Sequence, residues 1–133
     1  MALKRIGLAA LLCVFVQILH AQELRKNGAY IGKVESSGDI RINGSVVGKF
    51  ESSGDIKVNG SVKGKIESSG DIRKNGAVVG RLEQSGDVRV NGSVVGKIES
   101  NDDIRKNGSV IGSAKGLKRV YAAVIFFFDF FKI

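Results

Sequence analysis

Proline and tryptophan are absent from this chain of 133 residues, and cysteine, histidine and methionine occur once each. Each gap excludes something. Glycine is plentiful at 18 residues, but without proline it spells neither a collagen repeat nor a proline-rich linker. A lone cysteine, Cys13, forms no intrachain disulfide. Cys13 and His20 both lie near the start of the chain. Beyond them there is no thiol and no imidazole, so Ser-His, Cys-His and zinc constellations have no members. No Walker loop is present, and the glycine-rich stretches read as turns, because a phosphate loop needs a helix directly after it. The expectation is a non-enzymatic protein with no catalytic residues, no cofactor-binding residues and no cofactor.

The first residues read as a secretory leader. Lys4 and Arg5 give a positive start, Gly7 to Leu19 an apolar run broken only by Gln17, and Leu19-His20-Ala21 a small-residue cleavage site. The run is shorter than the roughly 20 residues of a spanning helix. Cys13 follows Leu12 inside the run, where a lipidated cysteine would want a small residue before it. The reading is therefore a cleaved signal over 1–21, export through the general secretory route, no transmembrane span afterwards, and a secreted, periplasmic or cell-envelope location.

What is abundant is a repeat. Asn-Gly recurs at Asn27, Asn43, Asn59, Asn75, Asn91 and Asn107, always sixteen residues apart, and another glycine follows each at Gly32, Gly48, Gly64, Gly80, Gly96 and Gly112. A Ser-Gly-Asp turn lies between successive pairs, with Asn101-Asp102-Asp103 as its fifth copy. An exact period of this length marks units that cannot bury their apolar faces alone. Between the turns apolar and polar residues alternate, the period of a β-strand. A three-residue loop Asn59 to Ser61 pairs Val58 with Val62, Ile56 with Gly64 and Asp55 with Lys65. This sorts the faces better than a two-residue turn, which sets Lys57 beside Val62. The inner face is then Ile56, Val58, Val62, Gly64 and Ile66. The other turn pairs Phe50 with Ile56 and Glu51 with Asp55. Half a unit stands at each end of the 22–112 repeat region, which suits circular closure and removes exposed sheet edges. The fold expected is all-β: a closed five-unit ring of short antiparallel hairpins, flower or propeller-like, with an open β-solenoid or meander as the alternative.

The run Gly64 to Gly76, Gly-Lys-Ile-Glu-Ser-Ser-Gly-Asp-Ile-Arg-Lys-Asn-Gly, resembles the five-fold β-flower proteins, small secreted bacterial proteins. The resemblance covers the leader, the repeats and the aromatic tail. It implies five hairpin petals about an axis and no activity. The fifth acidic turn departs from Ser-Ser-Gly-Asp, and Asn101 is the residue there that tolerates a left-handed conformation.

Residues 113–133 leave the pattern. A basic step of Lys115, Lys118 and Arg119 precedes an apolar stretch that holds Phe126, Phe127, Phe128, Phe130 and Phe131. Two readings follow. The tail packs on the ring as a strand or short helix and fills its axis, phenylalanine being a bulky filler. Alternatively these five phenylalanines form a contact surface for membrane or partner.

The net charge is +8, yet acids and bases alternate within every unit, which argues against nucleic acid as a partner. The acidic pairs Glu35 and Asp39, Glu51 and Asp55, Glu67 and Asp71, Glu83 and Asp87, and Glu99 and Asp103 flank the Ser-Gly turns. Paired carboxylates with turn carbonyls could take calcium. A basic neighbour opposite each acid favours a surface charge ladder instead, so no metal is expected. The function expected is a secreted binding module that presents repeated loops, to glycan or another envelope component. The alternative is a structural or envelope-associated protein that works through its Phe-rich tail.

Overall fold

The computed structural model describes residues 22–133; the leader expected over 1–21 lies outside them. Twelve strands run in order among the described residues. They are β1 (Glu23–Lys26), β2 (Ala29–Val34), β3 (Asp39–Ile42), β4 (Ser45–Phe50), β5 (Asp55–Val58), β6 (Ser61–Ile66), β7 (Asp71–Lys74), β8 (Ala77–Leu82), β9 (Asp87–Val90), β10 (Ser93–Ile98), β11 (Asp103–Lys106) and β12 (Ser109–Lys115). One helix, α1 (Arg119–Phe127), follows. Each strand pairs antiparallel with its neighbours in sequence, and β12 returns to β1 to close a barrel. Closure satisfies both edges of the sheet, as the half units at the ends of the repeat required.

The unit count differs from expectation. Six Asn-Gly hairpins, not five units, make up the wall. Four Ser-Gly turns and the Asn101-Asp102 turn join them, and the sixth junction is the non-covalent seam in which Glu23 pairs with Lys115 and Lys26 with Gly112. Five acidic turns therefore imply six hairpins once the barrel closes.

The Asn-Gly turn also corrects the expected register. Asn residues at φ 49–52° and glycines at φ 80–85° form two-residue turns with both central residues left-handed, the form whose twist matches the strands. Val58 pairs with Ser61 and Lys57 with Val62. The register then shifts by one residue, so that Ile56 meets Gly64 and Asp55 meets Lys65 as expected. Lys63 is the extra residue of a β-bulge. The bulge lets Lys57 and Val62 share the outer face near the turn while Ile56 and Gly64 still face inward. Val62, expected inside, is exposed. At the other end, Phe50 pairs with Ile56 and the Glu51 amide donates to the Asp55 carbonyl over 2.9 Å. In the fifth copy Asp102, not Asn101, takes the left-handed position, at φ 73°. Asn101 does the work of the serine before it in the other turns: its Oδ1 accepts from the Asp103 amide over 3.1 Å, as Ser53 Oγ does from Asp55 over 3.4 Å.

The core repeats with the wall. Leu24, Ile40, Ile56, Ile72, Val88 and Ile104 are each fully buried, one per hairpin. Each stands opposite an inward glycine, Gly32 to Gly112 in turn. Inside this layer lies α1, whose Ala122, Ala123, Val124 and Ile125 are buried on every side, as in a helix enclosed by its own protein.

Candidate functional site

The five tail phenylalanines lie against the inward glycines in reverse order. Phe126 meets Gly112, Phe127 meets Gly96, Phe128 meets Gly80, Phe130 meets Gly64 and Phe131 meets Gly48. A Cβ placed on Gly64 would stand 2.7 Å from two carbons of the Phe130 ring and closer still to the Arg73 carbonyl oxygen. The missing side chain is thus what admits both the neighbouring backbone and the aromatic ring. Phe127, Phe128, Phe130 and Phe131 are buried, and Phe126 is half-buried against the core. The structure accordingly places these side chains within the barrel.

The barrel has two unlike ends. At the Ser-Gly end α1 enters, with Tyr121 stacked on Phe50 at 4.0 Å between centroids and 3° between planes. At the Asn-Gly end the mouth is an open cavity of about 910 Å³, lined by Lys26, Lys106, Lys132, Asp129, Phe126 and Phe130 among others. Three lysines take the position filled elsewhere by Ile42, Val58 and Val90: Lys26, Lys74 and Lys106. Lys74 Nζ donates to the Phe128 and Asp129 carbonyls, both at 3.2 Å, and sits 5.0 Å from the Phe130 ring centre. A cation at a helix C-terminus answers both its unpaired carbonyls and its dipole. Lys26 Nζ donates to the Ile133 carbonyl over 2.8 Å. Among the described residues Lys106 makes no ion pair or hydrogen bond through its side chain.

The acidic pairs line the Ser-Gly end. Each glutamate reaches a basic side chain two residues past the aspartate: Glu51 to Lys57 at 3.3 Å, Glu67 to Arg73 at 2.7 Å, Glu99 to Arg105 at 3.4 Å, and Glu35 to Arg41 and Glu83 to Arg89 as well. The hydrogen bond from Arg41 holds the Glu35 carboxyl below its ordinary pKa, against a smaller opposing effect of burial. No group of three metal-capable side chains occurs among the described residues. The five glutamates thus form a ladder of partly exposed ion pairs around this end.

A girdle went unread in the sequence. Tyr30, Val46, Val62, Val78, Val94 and Val110 occupy one position of each hairpin and are 47–55% exposed. Together they circle the outer wall beside the Asn-Gly turns. The signal was present in the unbroken apolar identity of that position. It was masked because alternation alone assigned Val62 and its equivalents to the core.

Residues 40–118 match the family model for Bactofilin, described as polymer-forming cytoskeletal. No curated protein and no solved structure matches the chain. The family match corrects three expectations. The resemblance to five-fold β-flower proteins gives way to it, and the six-hairpin wall removes the five-fold symmetry that supported the resemblance. A secreted binding module presenting its loops to glycan is replaced by a polymer-forming cytoskeletal kind of protein. A secreted, periplasmic or envelope location conflicts with a cytoskeletal family. The family is structural rather than enzymatic. Among the described residues no helix is long and apolar enough to cross a membrane.

Proposed function

We propose, on the premise that the chain belongs to the bactofilin family, that it is a non-enzymatic structural protein whose barrels assemble with copies of themselves. The observation that carries this reading is the girdle of Tyr30 and the five valines. Single exposed apolar residues are ordinary, but the same outward position is apolar in all six hairpins, and a set repeated in this way supports a surface that another molecule covers. Because the sheet is closed, assembly by adding strands to a free edge is excluded, and barrels meet through their side chains. Six copies of one weak apolar contact on a rigid frame suit a polymer, since each further contact within a pair is made at high effective concentration.

The test is sedimentation velocity and negative-stain electron microscopy of the full chain beside a variant carrying Val46→Ser, Val62→Ser, Val78→Ser and Val94→Ser. The wild type is expected to sediment as polymer and the variant as single barrels with an unchanged far-ultraviolet spectrum. A wild type that stays monomeric at every concentration overturns the reading.

A further inference from the structure

The cavity of about 910 Å³ at the Asn-Gly mouth has two kinds of lining. Ile111, Ile125, Phe126 and Phe130 are apolar, and Ile125 belongs to the buried core. Lys26, Lys106 and Lys132 are cationic, with Asp129 as the one acidic side chain among the lining residues. The cations are unequal. Lys26, Lys74 and Lys106 share one place in the repeat, where Ile42, Val58 and Val90 show that the wall needs no charge. Lys26 donates to the Ile133 carbonyl, and Lys74 to the carbonyls after α1. Lys106, opposite Gly96, is exposed and bonds nothing through its side chain among the described residues. Neither the wall nor the tail accounts for it.

We propose that the mouth binds a free, single-chain fatty-acid anion, its alkyl chain against Ile111, Ile125, Phe126 and Phe130 and its carboxylate on Lys106 Nζ. A cavity of this size, apolar with a few placed polar groups, is the usual form of a small-molecule site. A hydrocarbon would leave the lysine unanswered, and an inorganic anion would leave the apolar lining wet. An amphiphile uses both. An ammonium beside apolar side chains attracts an anion more strongly than one in open water, because the local dielectric is lower. A single negative charge fits, since Lys26 is engaged and Asp129 offsets one of the three lysines. A carboxylate fits better than a phosphate, because the lining holds no arginine fork, only the point charges of lysine. The site belongs to one barrel and does not depend on assembly.

Calorimetric titration of the full chain with hexanoate, octanoate and decanoate, each below its micelle concentration, tests this. The same titrations on the full chain carrying Val46→Ser, Val62→Ser, Val78→Ser and Val94→Ser keep the mouth free if wild-type barrels cover it by assembling. One decanoate per barrel is expected, with affinity rising about fourfold for each added methylene. Lys106→Glu should weaken decanoate binding about tenfold or more. Lys63→Glu makes the same charge change at an exposed residue outside the lining, and should alter binding less than about twofold. Unchanged far-ultraviolet spectra show that both variants fold, and Lys106→Gln, a milder change, should lose affinity in the same direction. Absence of saturable decanoate binding to either chain overturns the site. Equal weakening by Lys106→Glu and Lys63→Glu overturns it, as does decyltrimethylammonium binding as tightly as decanoate. Binding to phosphatidylglycerol vesicles without binding of monomeric decanoate overturns it in favour of a membrane contact.

Discussion

Each of the six hairpins buries one large side chain completely at the same place in its repeat, whereas each residue of the tail meets surroundings of its own. The wall is one solution copied: Ile40, Ile56 and Ile72 occupy equivalent places, and any of them could be exchanged for another. The plug is written once, and Phe130 belongs against Gly64 as Phe127 belongs against Gly96. A copied wall of short strands leaves an axial space that no residue of the repeat fills. The space is closed by a single helix whose symmetry cannot match that of the wall. The inward glycines reconcile the two. They are identical in the repeat, so every hairpin offers a slot, and the irregular tail fills five of the six, Gly48 to Gly112, each with a different residue.

The strongest way to break this arrangement is to fill one slot. Gly64→Val would drive a branched side chain into both the Phe130 ring and the Arg73 carbonyl oxygen. Overpacking of this kind against backbone is expected to cost more than about 4 kcal/mol. Thermal denaturation should show the chain unfolded, or molten, near room temperature. Replacing Gly64 by Ala in a Phe130→Ala background sharpens the point. It relieves the aromatic clash but leaves the carbonyl, so the two changes should couple favourably without cancelling.

Emptying a slot is the next largest effect. Phe130→Ala leaves a cavity between α1 and the wall and should lower stability by about 3–5 kcal/mol in urea titration. The same truncation on the copied wall's outer face, Val62→Ala, should cost under about 0.5 kcal/mol, because that side chain is half in water. If the two losses were equal, the plug would not be the keystone that its contacts suggest.

How much of this was legible in the sequence follows from which forces are local. The period of sixteen, the all-β class and closure were readable, because turn chemistry and edge removal act within a unit or between the two chain ends. The bulge at Lys63 was not. Alternation treats Val62 as core, and only the preference of Asn-Gly for two-residue turns, taken seriously, forces an extra residue into β6. The left-handed residue of the fifth acidic turn was misplaced for a similar reason: Asn101 is the better left-handed residue by type, but Asp102 occupies the glycine's place in the count. The girdle is hidden by the same alternation, which puts Val62 and its equivalents on the inner face. The family was not legible at all, because the repeat that suggested one family is equally what another family's model matches over residues 40–118.

The smallest effect separates wall from plug at a single repeated position. Lys74 and Lys106 stand at the same place in their units, where Val90 stands between them in sequence. Lys74→Val would remove two hydrogen bonds to the carbonyls after α1 and the cation over the Phe130 ring. A loss of roughly 1 kcal/mol is expected, the size of a cation at a helix C-terminus together with a part-exposed cation–π contact. Lys106→Val makes the same change where nothing from the tail is bonded, so stability should stay constant or rise slightly as an apolar residue joins the mouth. Paired urea melts of the two variants read the difference directly. Equal losses would mean that the position matters for the wall alone; unequal losses, in this order, would mean that a copied wall residue acquires its value from the one part of the chain that is not copied.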